Sequence, residues 1–264
     1  MNTAHAQNVS GSNEHSADVS KIRHIEISDV KAALRAGYGD FLKRPSHAIF
    51  LGLLYPILCF ILVAAVTGRD LLPLVYPLIA GFTLVGPFAA LGLYEMSRRR
   101  EETGEIHWRD AFGVFRSAAF SQILMLGLLI LLVFSLWILA AVLIYSHTLG
   151  TIASPAAPLA GMFSTTEGWM MVFVGNIVGA VFAVASFTIS VVSFPMLLDK
   201  HVNAPTALAT SIRAVIANPK ALGYWGLIVV AGLFVGFLPM AVGLAVVFPI
   251  LGHATWHLYR ALIA

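Results

Sequence analysis

The stretch "ALGYWGLIVVAGLFVGFLPMAVGLAVVFPILGHATWHLY", residues 221–259, contains no Asp, Glu, Lys or Arg. As a single α-helix of 39 residues it would reach ~58 Å at ~1.5 Å per residue, nearly twice the ~30 Å of a bilayer's hydrocarbon core. Leu238-Pro239, near its middle, marks a turn, because proline cannot continue a helix interior. The stretch therefore reads as a hairpin of two spans, Ala221–Leu238 and Met240–Tyr259.

The same reading extends toward the N-terminus. Ala48–Thr67, Leu71–Tyr94, Ala118–Tyr145 and Met170–Leu198 are each long and apolar enough to cross a membrane, with the tight turn Gly68-Arg69-Asp70 between the first two. The expectation is six spans in an all-α membrane protein. Composition agrees: 59% of the 264 residues are hydrophobic, 11% are charged, and the mean hydropathy is +0.86. A soluble domain carries about 25% charged residues, so this apolar excess needs the bilayer as its solvent. Pro56, Pro73, Pro77, Pro87 and Pro195, all inside spans, are expected to bend their helices.

Basic residues orient the spans. Of the 16 Lys and Arg, only Arg69 falls on the side of the first, third and fifth connections. The other fifteen, from Lys21 to Arg44, Arg98 to Arg116, Lys200 to Lys220 and Arg260, lie on the opposite side. By the positive-inside rule both termini are cytoplasmic. Trp108, Tyr224, Trp225, Trp256 and Tyr259 then fall at the inner interface, and Tyr76, Tyr145 and Trp169 at the outer one. Residues 1–20 are polar and aperiodic, so 1–25 are expected as a disordered cytoplasmic tail and 26–264 as the transmembrane domain. With no apolar core after a basic start, the first span is expected to act as an uncleaved targeting signal. The lone Cys59 gives no disulfide framework and no cysteine-based zinc or iron–sulfur site.

The cytoplasmic segments carry an internal repeat. "AALRAGYGDFLKRPSHAIFLGLL" leads into the first span and "TALATSIRAVIANPKALGYWGLI" into the fifth. Aligning Pro45 with Pro219 also aligns Ala33 with Ala207, Leu34 with Leu208 and Gly52 with Gly226. Leu34, Tyr38, Phe41 and Leu42 fall on Leu208, Ile212, Val215 and Ile216, an amphipathic stripe. Helices are expected over 29–43 and 206–217, with these residues facing the membrane or the bundle. "WRDAFGVFRSAAF" is a weaker third copy. The unit is an interfacial helix followed by a transmembrane hairpin, used three times.

Three segments, "SFPMLLDK", "ALATSIRAVIANPKALGYWGLI" and "FPILGHATWHLYR", together with "WRDAFGVF", resemble the DUF2189 family of predicted bacterial integral membrane proteins. The resemblance spans roughly residues 25–264. It implies a multi-pass protein of the bacterial inner membrane and brings no catalytic residue set. Some members carry the label of a cytochrome c oxidase subunit. A haem–copper catalytic subunit needs about twelve spans and several intramembrane histidines, which this chain lacks.

Of nine histidines, only His253 and His257 fall near membrane depth. At i, i+4 they share one helix face. Glu95 and Asp199 end the second and fourth spans at a similar level. Two imidazoles with one or two carboxylates are candidate ligands for zinc or iron. The competing interpretation is that they anchor a helix end at the interface, and on it no cofactor is expected. No Walker loop, nucleophile elbow, metalloprotease motif or dinucleotide fingerprint is present. Arg98-Arg99-Arg100 fits topology and anionic lipid better than nucleic acid.

The leading expectation is a non-enzymatic accessory, assembly or organising protein whose partners are the bilayer and subunits of a membrane complex. A small-molecule or lipid transporter and a metal-binding redox accessory are the alternatives.

Overall fold

The computed structural model describes residues 21–45, 72–105, 107–153, 159–200, 202–239 and 241–263, and residues 49, 52–53, 56–57, 60–61 and 64. The span expected at Ala48–Thr67 lies largely outside the described residues, as do residues 1–20 and Arg69. Among the described residues the chain is all-helical: ten α-helices, four short 3-10 helices and one isolated β-bridge.

Helix α1 is Ile27–Lys43. The Glu26 N–H donates to Asp29 Oδ2 at 2.8 Å, which satisfies one of the donors a helix start leaves open. Its buried face is Val30, Ala33, Gly37, Asp40 and Phe41. Tyr38 and Leu42, on the apolar stripe of the sequence, face outward.

The segment read as one span over 71–94 is broken. A 3-10 turn at Leu72–Leu74 leads to α2 (Val75–Phe82), a second turn at Thr83–Val85, α3 (Gly86–Ala89) and α4 (Leu91–Thr103). Pro73, Pro77 and Pro87 lie in three of these pieces, and each lacks the N–H a continuous helix would use. Helix–helix hydrogen bonds hold the pieces: Trp137 Nε1 donates to the Pro77 carbonyl and Ser186 Oγ to the Leu84 carbonyl, both at 2.8 Å. Helix α4 ends at Gly104, whose φ of 79° suits glycine as a left-handed cap.

After a 3-10 helix at Trp108–Arg116 come α5 (Phe120–His147), α6 (Thr166–Ser190), α7 (Ser193–Asp199), α8 (Ala204–Ala217), α9 (Pro219–Phe237) and α10 (Leu244–Leu262). The kink between α6 and α7 precedes Pro195, which cannot bond back to Val191. The turn expected at Leu238-Pro239 separates α9 from α10. Among the described residues, three helical segments are long and apolar enough to cross a membrane: α5, the α6–α7 run and α9. Their outward faces carry large apolar side chains such as Leu128, Phe173, Val181, Leu227 and Phe234, as lipid-facing surfaces do.

Helix α8 starts on Asn203, whose Oδ1 accepts the Thr206 N–H at 2.9 Å, while Gln122 of α5 accepts the Ala204 N–H. Its buried face is small and polar, Ala204, Ala207, Thr210, Ser211 and Ala214. Ser211 bridges the α6–α7 kink, donating to the Thr188 carbonyl and accepting from the Val192 N–H. Its larger residues, Ile212 and Ile216, are exposed.

Packing follows a pattern. Helix α1 lies along α10, the Trp108–Arg116 helix lies on α4, and α8 lies on α6 and α7. A Cβ at Gly37 would run into the Ala254 backbone, so glycine there permits the close approach of α1 to α10. Residues 22–25 run beside the chain end. The Arg23 N–H donates to the Leu262 carbonyl, Ile22 bridges Ile263, and Asn218 takes the Ile25 N–H and donates to the Arg23 carbonyl. The tail boundary expected at residue 25 falls just after this stitch.

Candidate functional site

Asp40 is the centre of a polar cluster at the end of the bundle where α1, α4 and α10 meet. It sits three residues after Gly37 on the same buried face of α1 and is 1% exposed. A carboxylate so buried requires strong partners, because an unpaired charge out of water costs several kcal/mol, about 3–5 when a partner is removed. Asp40 Oδ2 accepts from Ser97 Oγ at 2.8 Å and lies 2.9 Å from His257 Nε2. The Arg100 guanidinium pairs with Oδ1. Ser97 Oγ is also 2.8 Å from His253 Nδ1. A hydroxyl has one proton to give. With that proton on the Asp40 bond, His253 must carry its own proton on Nδ1 and donate to Ser97.

The cluster continues along α10. Trp256 Nε1 donates to Glu101 Oε1 at 3.1 Å, and His257 Nδ1 is 3.7 Å from the same oxygen. Arg260 reaches Glu101 at 3.2 Å and Asp199 at 3.3 Å. The Tyr259 hydroxyl donates to Asp199 at 2.6 Å. Together these contacts tie α10 to α1, α4 and α7. Trp256 and Tyr259 are fully buried, with ring centroids 5.5 Å apart, and supply the apolar floor.

Glu95 belongs to a separate group. Arg98 grips it with Nε and Nη2, both at 2.7 Å, and Arg99 adds a third bond at 2.9 Å. The Glu95 hydrogen bond raises the Arg98 pKa above its ordinary value, against the effect of burial. A forked contact of this kind fixes both partners geometrically.

The four residues singled out as candidate metal ligands are therefore placed as follows. His253 and His257 share a face of α10 and join one cluster through Ser97 and Asp40. Glu95 is held by two arginines, and Asp199 by Tyr259 and Arg260. Among the described residues no group of three His, Cys, Asp or Glu is spaced to hold a metal ion. Sequence reasoning missed Asp40, Ser97, Arg100 and Glu101. The signal for Asp40 is present: Val30, Ala33, Gly37 and Asp40 form a helical stripe, and a carboxylate on it calls for a buried partner. Asn176, on α6, accepts from the Tyr76 hydroxyl of α2 at 3.1 Å, a helix–helix bond.

Residues 75–199 match the model of a family described as "Predicted integral membrane protein (DUF2189)". The match runs from the start of α2 to the end of α7 and includes "WRDAFGVF" and "SFPMLLD" of the resembling motifs. The chain is thus an integral membrane protein by that match and by its apolar helices. No curated protein and no solved structure matches it.

Proposed function

We propose that the chain is a non-enzymatic, six-span protein of the bacterial inner membrane, with residues 26–264 as its membrane domain and both termini cytoplasmic. On this reading it supports the assembly or organisation of a larger membrane complex, a respiratory one being the class the resemblance names. The observation that carries the proposal is the Asp40 cluster. His253, His257, Asp40, Glu101 and Asp199 are each engaged with partners on other helices across α1, α4, α7 and α10, and Glu95 is held by two arginines of its own helix. That arrangement suits a rigid scaffold better than a turnover site, where a base or nucleophile would face a substrate cavity.

The three-repeat architecture belongs to the same proposal, and two observations support it. The buried positions Val30, Ala33, Gly37 and Asp40 of α1 fall, in the Pro45–Pro219 alignment, on Ala204, Ala207, Ser211 and Ala214, which are buried on α8. Each interfacial helix also packs on the second span of the preceding unit: the Trp108–Arg116 helix on α4, α8 on α6–α7, and α1 on α10. Three such steps close a ring.

The test is purification from native membranes in mild detergent, with co-purifying subunits identified and metal content and visible absorbance measured. The expected result is a stable set of membrane subunits in fixed ratio. A lone, monodisperse chain would overturn the assembly reading, and about one metal per chain would favour the redox alternative. Reporter fusions at residue 20, within 98–110, within 200–218 and after Ala264 should all report cytoplasm. A periplasmic signal after Ala264 would remove the six-span arrangement.

A second reading, a lipid or small-molecule transporter, draws on one feature. An apolar groove of about 540 Å³ runs between α6, α9 and α10, with Ser186, Ser190 and Thr255 among its walls. Flux of a substrate through proteoliposomes of the pure chain would favour that reading.

A further inference from the structure

A second cavity, of about 780 Å³, opens between α4 and the Trp108–Arg116 helix. Sites for small ligands run from about 300 to 1,000 Å³. Four arginines line it, Arg98, Arg99, Arg109 and Arg116, against two carboxylates, Glu95 and Asp110. Arg98 and Arg99 are committed to Glu95 and Glu102. Asp110 Oδ2 accepts the His107 N–H at 2.9 Å. Among the described residues neither Arg109 nor Arg116 meets a carboxylate. Arg109 lies over the Trp108 ring, 5.7 Å from its centroid. The cavity therefore offers two guanidiniums with uncompensated charge, next to a carboxylate pair that is already satisfied.

The surroundings point to what would fill it. In a 3-10 helix every third residue shares an edge. Trp108, Ala111 and Val114 form one edge, and Ala111 and Val114 are buried, with Ala111 against Gly92 of α4. Arg109, Phe112 and Phe115 form the next. Phe112 and Phe115 are 46% and 63% exposed, stacked with centroids 6.4 Å apart, and Phe115 continues onto Phe120 at 5.7 Å. Phe120 opens α5, a 28-residue apolar helix whose outward face carries Leu124 and Leu128. A cationic cavity is thus continuous with an exposed aromatic ledge and then with an apolar helix face. Water is a poor neighbour for the ledge, and a free anion would leave it uncovered.

We infer that this cavity binds the phosphodiester headgroup of an anionic phospholipid, with Arg109 and Arg116 on the phosphate oxygens and the acyl chains along Phe112, Phe115 and the start of α5. Guanidinium matches phosphate with paired, directional donors. Basic pockets beside membrane helices recognise anionic headgroups by this chemistry. The site is separate from the Asp40 cluster and does not depend on the scaffold proposal.

The experiment is native mass spectrometry of the full chain in mild detergent, titrated with phosphatidylglycerol or phosphatidylcholine. The wild-type chain should prefer phosphatidylglycerol by roughly 25-fold, each of the two arginines at such a surface being worth about a factor of five. Arg109→Gln with Arg116→Gln should bring the two lipids to near equality. Arg213→Gln with Lys220→Gln removes the same formal charge from exposed positions on other helices and should leave the preference intact. Millimolar inorganic phosphate or glycerophosphate should not displace the lipid. No preference in the wild-type chain overturns the inference whatever the variants do. An equal loss in the Arg213/Lys220 variant overturns it in favour of diffuse charge, and displacement by free phosphate overturns it in favour of a soluble anion. Should the double glutamine variant fail to fold, Arg116→Lys keeps the charge, loses the forked contact and should lower the preference severalfold.

Discussion

Helices α5 and α10 are both expected as spans from the sequence, yet they do opposite work. Five of the 28 residues of α5 are buried, against 13 of the 19 of α10. Helix α5 is Leu- and Ile-rich all round, as a helix wetted by lipid can be. Helix α10 changes character along its length. Its first half is aliphatic, and its second half carries His253, Thr255, Trp256, His257 and Tyr259, packed between α1, α4 and α7. Apolar composition places a helix in the membrane. The few polar residues on it decide whether it faces lipid or other helices, because a polar side chain away from water must find its partner in protein.

The sharpest way to break this contrast is at Asp40. Asp40→Ala leaves the Arg100 guanidinium and His257 facing an empty buried site, and removing one partner of a buried charge pair costs about 3–5 kcal/mol. Leu128→Ala lies on the exposed face of α5, with more than half of the residue uncovered, and should stay within about 0.5 kcal/mol. Unfolding in mixed micelles by titration with a denaturing detergent compares the two. Equal stabilities for the two variants would mean that α1 does not depend on its carboxylate to dock on α10.

A smaller effect separates the two histidines. His253 is 1% exposed and bonds Ser97, whereas His257 is about one-fifth exposed at its side chain. His253→Ala should cost about 1–3 kcal/mol, since Ser97 loses a buried partner and a void remains. His257→Gln keeps a donor within reach of Asp40 and should cost under about 1 kcal/mol. The anchor reading expects metal content to be the same in both variants as in the parent chain. If His257→Gln proves the more damaging of the two, then the Asp40 contact, and not the Ser97 bond, dominates the cluster.

Most of the fold is legible in the amino-acid sequence. The α5 and α9 spans follow from length and hydropathy, and the ends of α1 and α8 fall at or just before Pro45 and Pro219. The breaks near Pro73, Pro87 and Pro195 follow from a missing N–H. The site is legible only by half. His253 and His257 stand out by spacing, but their partner Asp40 is 217 positions from His257 in the chain, and Ser97 is an ordinary residue beside an arginine run. Local periodicity carries no information about which distant helix a face will meet. Even so, the small residues Ala33 and Gly37, which Asp40 shares a face with, mark where a neighbouring helix comes close.

Helix α8 offers the finest test of the comparison, because it resembles α1 in register and α5 in its outward chemistry. Its inner face is Ala207, Ser211 and Ala214, and its outer face carries Ile212 and Ile216, the latter 73% exposed. At the membrane surface, large apolar residues on such a helix lie toward the acyl boundary while small ones let it approach the bundle. Single cysteines placed from 206 to 217 in a Cys59→Ser background should give a labelling period near 3.6 residues. Positions 207, 211 and 214 should stay protected from a soluble maleimide, and Arg213 and neighbouring exposed positions should label readily. Ile212→Cys and Ile216→Cys should react better with a lipid-soluble reagent than with a charged one. The stability changes should be small, within about 1 kcal/mol for the exposed positions. Uniform labelling through the segment would mean that α8 is not docked on the α6–α7 kink, and the register it shares with α1 would then have no structural meaning.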